Sequence, residues 1–120
     1  MGRTLAEKIL LAHCDADDLS PGDFAMVRCD VVMANDLSTP LAARELARMG
    51  VKGVFDPAKV VLVADHFVPA KDARSAELQK VMKDWATAQG VTFYDQGRGG
   101  IEHTVLVEEG WVVPDRKSVV

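Results

Sequence analysis

The spacing of apolar residues changes period several times along the 120 residues. Leu5, Ile9 and Ala12 recur at helical spacing behind Thr4-Leu5-Ala6-Glu7, where a hydroxyl and a carboxylate three residues apart form a capping-box pattern. This predicts a short amphipathic helix ending near His13. Over residues 24–34 the period falls to two. Ala25, Val27, Cys29, Val31 and Met33 are apolar while Arg28 and Asp30 interleave, which predicts a strand with one buried face and places Cys29 in a core. A polar break over 35–39 precedes Pro40, a residue suited to the first turn of a helix. That helix is predicted to reach about Met49, with Gly50 just past its end.

Residues 60–64 read Val-Val-Leu-Val-Ala, apolar on both faces, as expected of an inner strand of a parallel sheet covered by helices on each side. The clearest helix is predicted over 73–88, with Leu78, Val81, Met82 and Trp85 on one stripe and Gly90 closing it. A short strand is predicted over 91–94. Residues 104–109 stay open between two readings, because Thr104-Val105-Leu106-Val107 favours a strand while Gly110 resembles a helix end. Ser118-Val119-Val120 reads as the opening of a further strand. Alternating strands and helices give an α/β class, three-layered with a mainly parallel sheet, in one domain covering 1–120.

Composition narrows the class. The chain carries 14 Lys and Arg against 18 Asp and Glu, a net charge of −4, so it has no excess of cations for a nucleic-acid footprint. With 48% hydrophobic and 27% charged residues it is globular rather than disordered. Its longest uninterrupted apolar run, 60–64, is far too short to span a bilayer. The N-terminal residues lack the apolar core of a secretion signal, so the expected location is cytoplasmic, with Cys14 and Cys29 reduced. Two cysteines cannot complete a four-ligand metal site, and no metal ligands are assigned in this chain.

Three places carry candidate chemistry. Asp65-His66 follows the 60–64 strand directly, and in open α/β sheets ligands gather outside the carboxyl ends of strands. An aspartate beside a histidine fixes its tautomer and raises its basicity, preparing it for proton transfer. Read without function, Asp65 caps a turn and His66 hydrogen-bonds at the surface. His103 follows Gly97, Gly99 and Gly100, a loop in which backbone amides can approach an anion closely; its plain alternative is a surface loop with an incidental histidine. Asn35-Asp36 ends a predicted strand and can bind a carboxylate or hydroxyl, or simply form the entry turn of the next helix. Neither a nucleophile elbow nor a Walker phosphate loop is present.

Taken in order, Thr4-Leu5-Ala6-Glu7-Lys8-Ile9-Leu10, Asp30 with Ala34-Asn35-Asp36, Pro40-Leu41-Ala42, Val54-Phe55-Asp56, Asp65-His66-Phe67, Lys71-Asp72 with Ser75-Ala76, and Gly100-Ile101-Glu102-His103 resemble one family. It is the large subunit of 3-isopropylmalate dehydratase and the related homoaconitase large subunit, within the aconitase superfamily. The resemblance covers nearly the whole chain and implies the first part of an aconitase-type α/β domain, the N-terminal portion of a longer subunit. It implies a hydro-lyase of leucine biosynthesis that isomerises 2-isopropylmalate to 3-isopropylmalate by dehydration and rehydration. In the family a [4Fe–4S] cluster acts on the departing hydroxyl and a separate small subunit completes the site. The resemblance further implies that His66, paired with Asp65, handles the leaving hydroxyl's proton. It implies that His103 hydrogen-bonds near that hydroxyl, and that Asn35 contacts a small di- or tricarboxylic acid substrate.

Neither Cys14 nor Cys29 matches the family's cluster ligands, which are expected beyond this chain together with the Asp-Ser-His-Thr segment. The 120 residues alone are therefore expected to bind no cluster and turn over no substrate, and their apolar edges to favour self-association. Other readings are a stand-alone, non-catalytic binding or assembly module of the same fold, and a homoaconitase or dimethylmalate-type dehydratase subunit. A third is an unrelated small α/β enzyme that uses His66 and His103 without metal.

Overall fold

Strand β1 (Val31–Asn35), β2 (Val60–Val63) and β3 (Thr92–Tyr94) lie parallel, with β4 (Ser118–Val119) parallel on the far side of β1, in the order β3-β2-β1-β4. This computed structural model describes residues 2–114 together with 118 and 119. β2 is buried at every position, as its doubly apolar sequence requires. On one face of the sheet Val31, Met33, Val61 and Val63 pack against Val105 and Leu106 of helix α4 (Glu102–Glu108). On the other, Val60, Leu62 and Ala64 pack against Met82 and Ala86 of helix α3 (Ala73–Gln89), which also contacts helix α2 (Thr39–Arg48). Helices thus cover both faces, giving the three-layer α/β arrangement with an all-parallel sheet that the pattern predicted. Val120, the last residue of the expected fourth strand, lies outside the described residues.

Several local expectations need correction. The period-two stretch does alternate in exposure, with Ala25, Val27 and Cys29 half-buried and Phe24, Met26 and Arg28 exposed. Only its last part pairs into the sheet, however. The rest makes a single antiparallel bridge, Cys14 to Val27, because no neighbouring strand lies alongside it. Cys29 is consequently half-buried rather than a core residue. The open segment after the glycine loop is helical: Glu102, Val105 and Leu106 fall at i, i+3 and i+4, and all three are buried. In α3 the buried line runs through Ser75, Met82 and Ala86, so Val81 faces outward and Trp85 is only half-buried.

Helix ends follow the sequence closely. Thr4 and Glu7 form both hydrogen bonds of the capping box on helix α1 (Leu5–Leu11), yet Leu5 is exposed and no residue of that helix is fully buried. Asp72 caps α3 by accepting from Ser75 N at 2.7 Å. At its other end Gly90 adopts φ +66°, where a Cβ would meet no atom but would strain the backbone. Gly90→Ala is therefore expected to cost about 1 kcal/mol, and Gly90→Asn less. Paired urea unfolding curves check this; equal midpoints for Gly90→Ala and the parent chain would show that the left-handed cap is not held.

Candidate functional site

Asn35 and Asp36 end β1, Asp65 and His66 follow β2, and Glu102 and His103 open α4, so all six stand at the carboxyl end of the sheet. Parallel pairing in register (Asn35 beside Val63) is what brings the first two pairs together. The third arrives through the loop after β3. There Asp95 accepts from Gln96 N at 2.8 Å and is held below the usual carboxylate range by Lys83 Nζ, 2.6 Å away. Gly99 sits where a Cβ would lie 3.2 Å from Tyr94 Cβ, a tight contact that a side chain would relieve only by moving the loop a few tenths of an ångström off β3.

Within this cluster His66 Nδ1 donates to Asp65 Oδ1 at 2.5 Å, and Asp65 Oδ2 accepts from the backbone N of Glu102 at 2.8 Å. Asp36 is wholly buried and accepts from the backbone N–H groups of His66 (3.1 Å) and Phe67 (2.8 Å). Its side chain therefore fixes the backbone that carries the histidine. Asn35, also buried, accepts at Oδ1 from Leu37 N, Ser38 N and Ser38 Oγ, and its Nδ2 donates to Glu102 Oε2 at 3.0 Å. This is the one hydrogen bond that Nδ2 makes among the described residues. His103 is exposed, with Nε2 3.5 Å from Glu102 Oε1. The sequence-derived residues Asp65, His66 and Asn35 thus converge, while His103 stands at the rim.

Two members escaped the sequence reading. Asp36 was weighed only together with Asn35, and Glu102 only as part of a motif, although Glu102 is 4% exposed and touches three of the four candidates. A carboxylate at the first position of a helix is so ordinary at an exposed N-terminus that nothing local marks it as buried.

The hydrogen bond to Asp65 raises the His66 pKa above its ordinary value, with smaller contributions from the Glu102 and Asp36 charges, against a lowering by partial burial. A raised folded-state value means that the stability His66 contributes is fully present below the ordinary imidazole range. It is lost as pH rises through the folded-state value. Because the side chain is 42% exposed, that contribution is small in solvent. The expected observation is an NMR titration midpoint for His66 above that of an unstructured histidine, falling in Asp65→Asn. Coincident midpoints for parent and variant would contradict the pairing.

Asp36, Asp65 and His66 bring one donor atom each within 4.8 Å of one another. Hydrogen bonds to protein N–H groups engage both carboxylates, so the arrangement is a hydrogen-bonded acid–histidine cluster and no metal is assigned to it. Cys29 precedes β1 at the opposite end of the sheet, and Cys14 bridges Val27 in the segment leading there. The described residues therefore offer no thiolate set for an iron–sulfur cluster near His66. A groove of about 710 Å³ lies at that amino-terminal end, lined mainly by apolar residues such as Val32, Leu46, Val51 and Phe55. A smaller cleft of about 280 Å³ runs from Asp65 along Gly97, Gly99 and Gly100. Of the acid–histidine cluster only Asp65 lines this cleft, so the site is marked by its converging side chains rather than by the size of either cavity.

No protein-family model matches the chain. Among curated proteins it is 68% identical over 114 residues to "3-isopropylmalate dehydratase large subunit 2" of Rubrobacter xylanophilus, covering 95% of this chain and 27% of that protein. It is 50% identical over 115 residues to the 3-isopropylmalate dehydratase large subunit of Moorella thermoacetica. With that of Aquifex aeolicus it shares 42% over 114 residues, 26% of that protein. The resemblance read from the motifs is borne out across nearly the whole chain, which spans about a quarter of the length of these relatives.

Proposed function

We propose that the chain is a part of the large subunit of a 3-isopropylmalate dehydratase, carrying the acid–histidine pair that handles the proton of the substrate hydroxyl. The observation that supports this most is the meeting of Asp65 and His66, 2.5 Å apart, at the carboxyl end of the sheet in a chain so similar to these large subunits. With Nδ1–H committed to Asp65, Nε2 is the free ring nitrogen, and the half-exposed ring can turn it toward a ligand. A protonated His66 gives its proton to the departing hydroxyl, which leaves as water, while a base outside the described residues takes the proton of the adjacent carbon; when water adds back at the neighbouring carbon, the neutral ring takes its proton and that base returns the other to carbon. Asn35 offers its remaining amide hydrogen to the substrate, and His103 stands at the rim to hydrogen-bond the hydroxyl.

The two thiols, both remote from His66, do not fit the family's [4Fe–4S] cluster, whose ligands belong to other parts of a complete subunit. A separate small subunit and a small hydroxy-dicarboxylic acid complete the proposed assembly, which is cytoplasmic as befits a biosynthetic enzyme with free thiols. The deciding experiment expresses the complete subunit with its small-subunit partner and follows interconversion of 2- and 3-isopropylmalate. Turnover by the complete pair, with none by the 120 residues alone, is expected. Catalysis by the isolated chain, surviving chelation and lost in His66→Ala, would favour a metal-independent enzyme instead.

Phe24, Phe55 and Met26 are almost completely exposed. Large uncovered apolar side chains of this kind drive association. Light scattering of the isolated chain is expected to give a mass rising above 13.0 kDa with concentration. A constant monomeric mass at high concentration would count against it.

A further inference from the structure

We propose that Glu102 is a positioning residue that ties the other members of the site together and reinforces the field that Asp65 places on His66. Its backbone N holds Asp65 Oδ2, its Oε2 receives Asn35 Nδ2, and its Oε1 lies 3.5 Å from His103 Nε2. One residue thus joins the ends of β1 and β2 to the start of α4, and its carboxylate is 6% exposed. Such a group is retained only where its hydrogen bonds and charge are matched, since an unmatched buried charge is costly. Here Asn35 donates to one oxygen, and the exposed His103 ring stands 3.5 Å from the other, an ion pair when that ring is protonated.

Asn35 accordingly does two things. Its Oδ1 closes the turn into α2, and this fixes the amide so that Nδ2 points at Glu102. The carboxylate so anchored adds its field to that of Asp65 at the His66 ring. The titratable groups facing His66 are Asp36 from the end of β1, Asp65 from the end of β2 and Glu102 from α4, and all three favour the imidazolium. Asp36 acts mainly through the His66 backbone, with Oδ1 4.0 Å from Nδ1. Glu102 is therefore the carboxylate that can be neutralised without removing a bond to His66 itself.

The inference rests on Asp65 and His66 as the proton-handling pair, but its test does not require turnover. Glu102→Gln keeps the acceptor for Asn35 and the shape of the side chain while removing the charge. In the 120-residue chain labelled at histidine nitrogen, the His66 titration midpoint is expected to move down in Glu102→Gln and to stay near the parent value in Glu102→Asp. In the unmutated chain, which needs no variant to fold, the Asn35 side-chain amide resonances are expected to move together with the His66 titration. An unchanged His66 midpoint in folded Glu102→Gln, or Asn35 resonances flat through that titration, overturns the proposal. In the complete subunit with its partner, Glu102→Gln is expected to lower kcat on the order of tenfold and shift the acidic limb of the pH profile, with KM little changed. A normal kcat beside a shifted His66 midpoint would leave Glu102's control of His66 standing and tell against His66 as the proton donor.

Discussion

Asp36→Ala is expected to destabilise the chain by about 3 kcal/mol, a large share of what holds a domain of this size together. Asp36 has no exposed surface, and its two oxygens accept from His66 N and Phe67 N at 3.1 and 2.8 Å. Hydrogen bonds to a charged acceptor contribute roughly 1.5–3 kcal/mol each, and truncation also leaves two backbone donors without partners in a site water cannot easily reach. The two bonds are not independent, which keeps the sum below twice the single value. Asp36→Asn retains one acceptor and should lose about half as much. Urea unfolding of the three chains checks the order; an Asp36→Ala midpoint matching the parent would mean that the backbone after β2 holds its course without this carboxylate.

His66→Ala in the complete subunit, assembled with its small-subunit partner, is expected to lower kcat by about 10³-fold, within the range positioned acid–base groups usually supply. The change should fall mainly on kcat, because the proton moves only as the hydroxyl departs. Asp65→Asn is a sharper probe. An asparagine oxygen can still accept from Glu102 N, but its amide then offers an N–H toward His66 Nδ1, which favours the tautomer protonated at Nε2. A neutral ring in that tautomer has no free Nε2 lone pair to take a proton, and giving up its one N–H would leave an imidazolate, so it serves neither as acid nor as base. Both half-reactions should therefore suffer, and feeding the alkene intermediate measures the hydration half by itself. Losses far smaller than those of His66→Ala would reduce Asp65 to an orienting role.

How far the molecule could be read from its sequence depended on how local each cause was. The capping box at Thr4 and Glu7, the glycine after α3 and the doubly apolar β2 are set within a few residues, and each stands where the pattern put it. Alternation over 24–34 reported correctly which side chains turn inward. It could not report that residues before Val31 lack a neighbour to pair with, because pairing is a property of the other strand. Asp65 and His66 announced themselves by following an inner strand. Glu102 and Asp36 did not, since their burial depends on partners 67 and 30 residues away in the chain, and single-residue chemistry carries no trace of such distances.

The order β3-β2-β1-β4 has a consequence for how the chain is made. β1 precedes the other described strands, yet one of its two neighbours is β4, with Val31 beside Ser118. Its other edge can be satisfied by β2 soon after emergence, but this edge must wait until residue 118 has been made. Contacts so distant along the chain slow folding, because loop closure precedes the reward of pairing. During that interval the nascent segment presents unpaired amides and carbonyls beside Val32 and other apolar side chains, a template for unwanted strand addition. The interior position of β1 in the finished sheet therefore leaves one of its edges open to wrong pairing until β4 arrives.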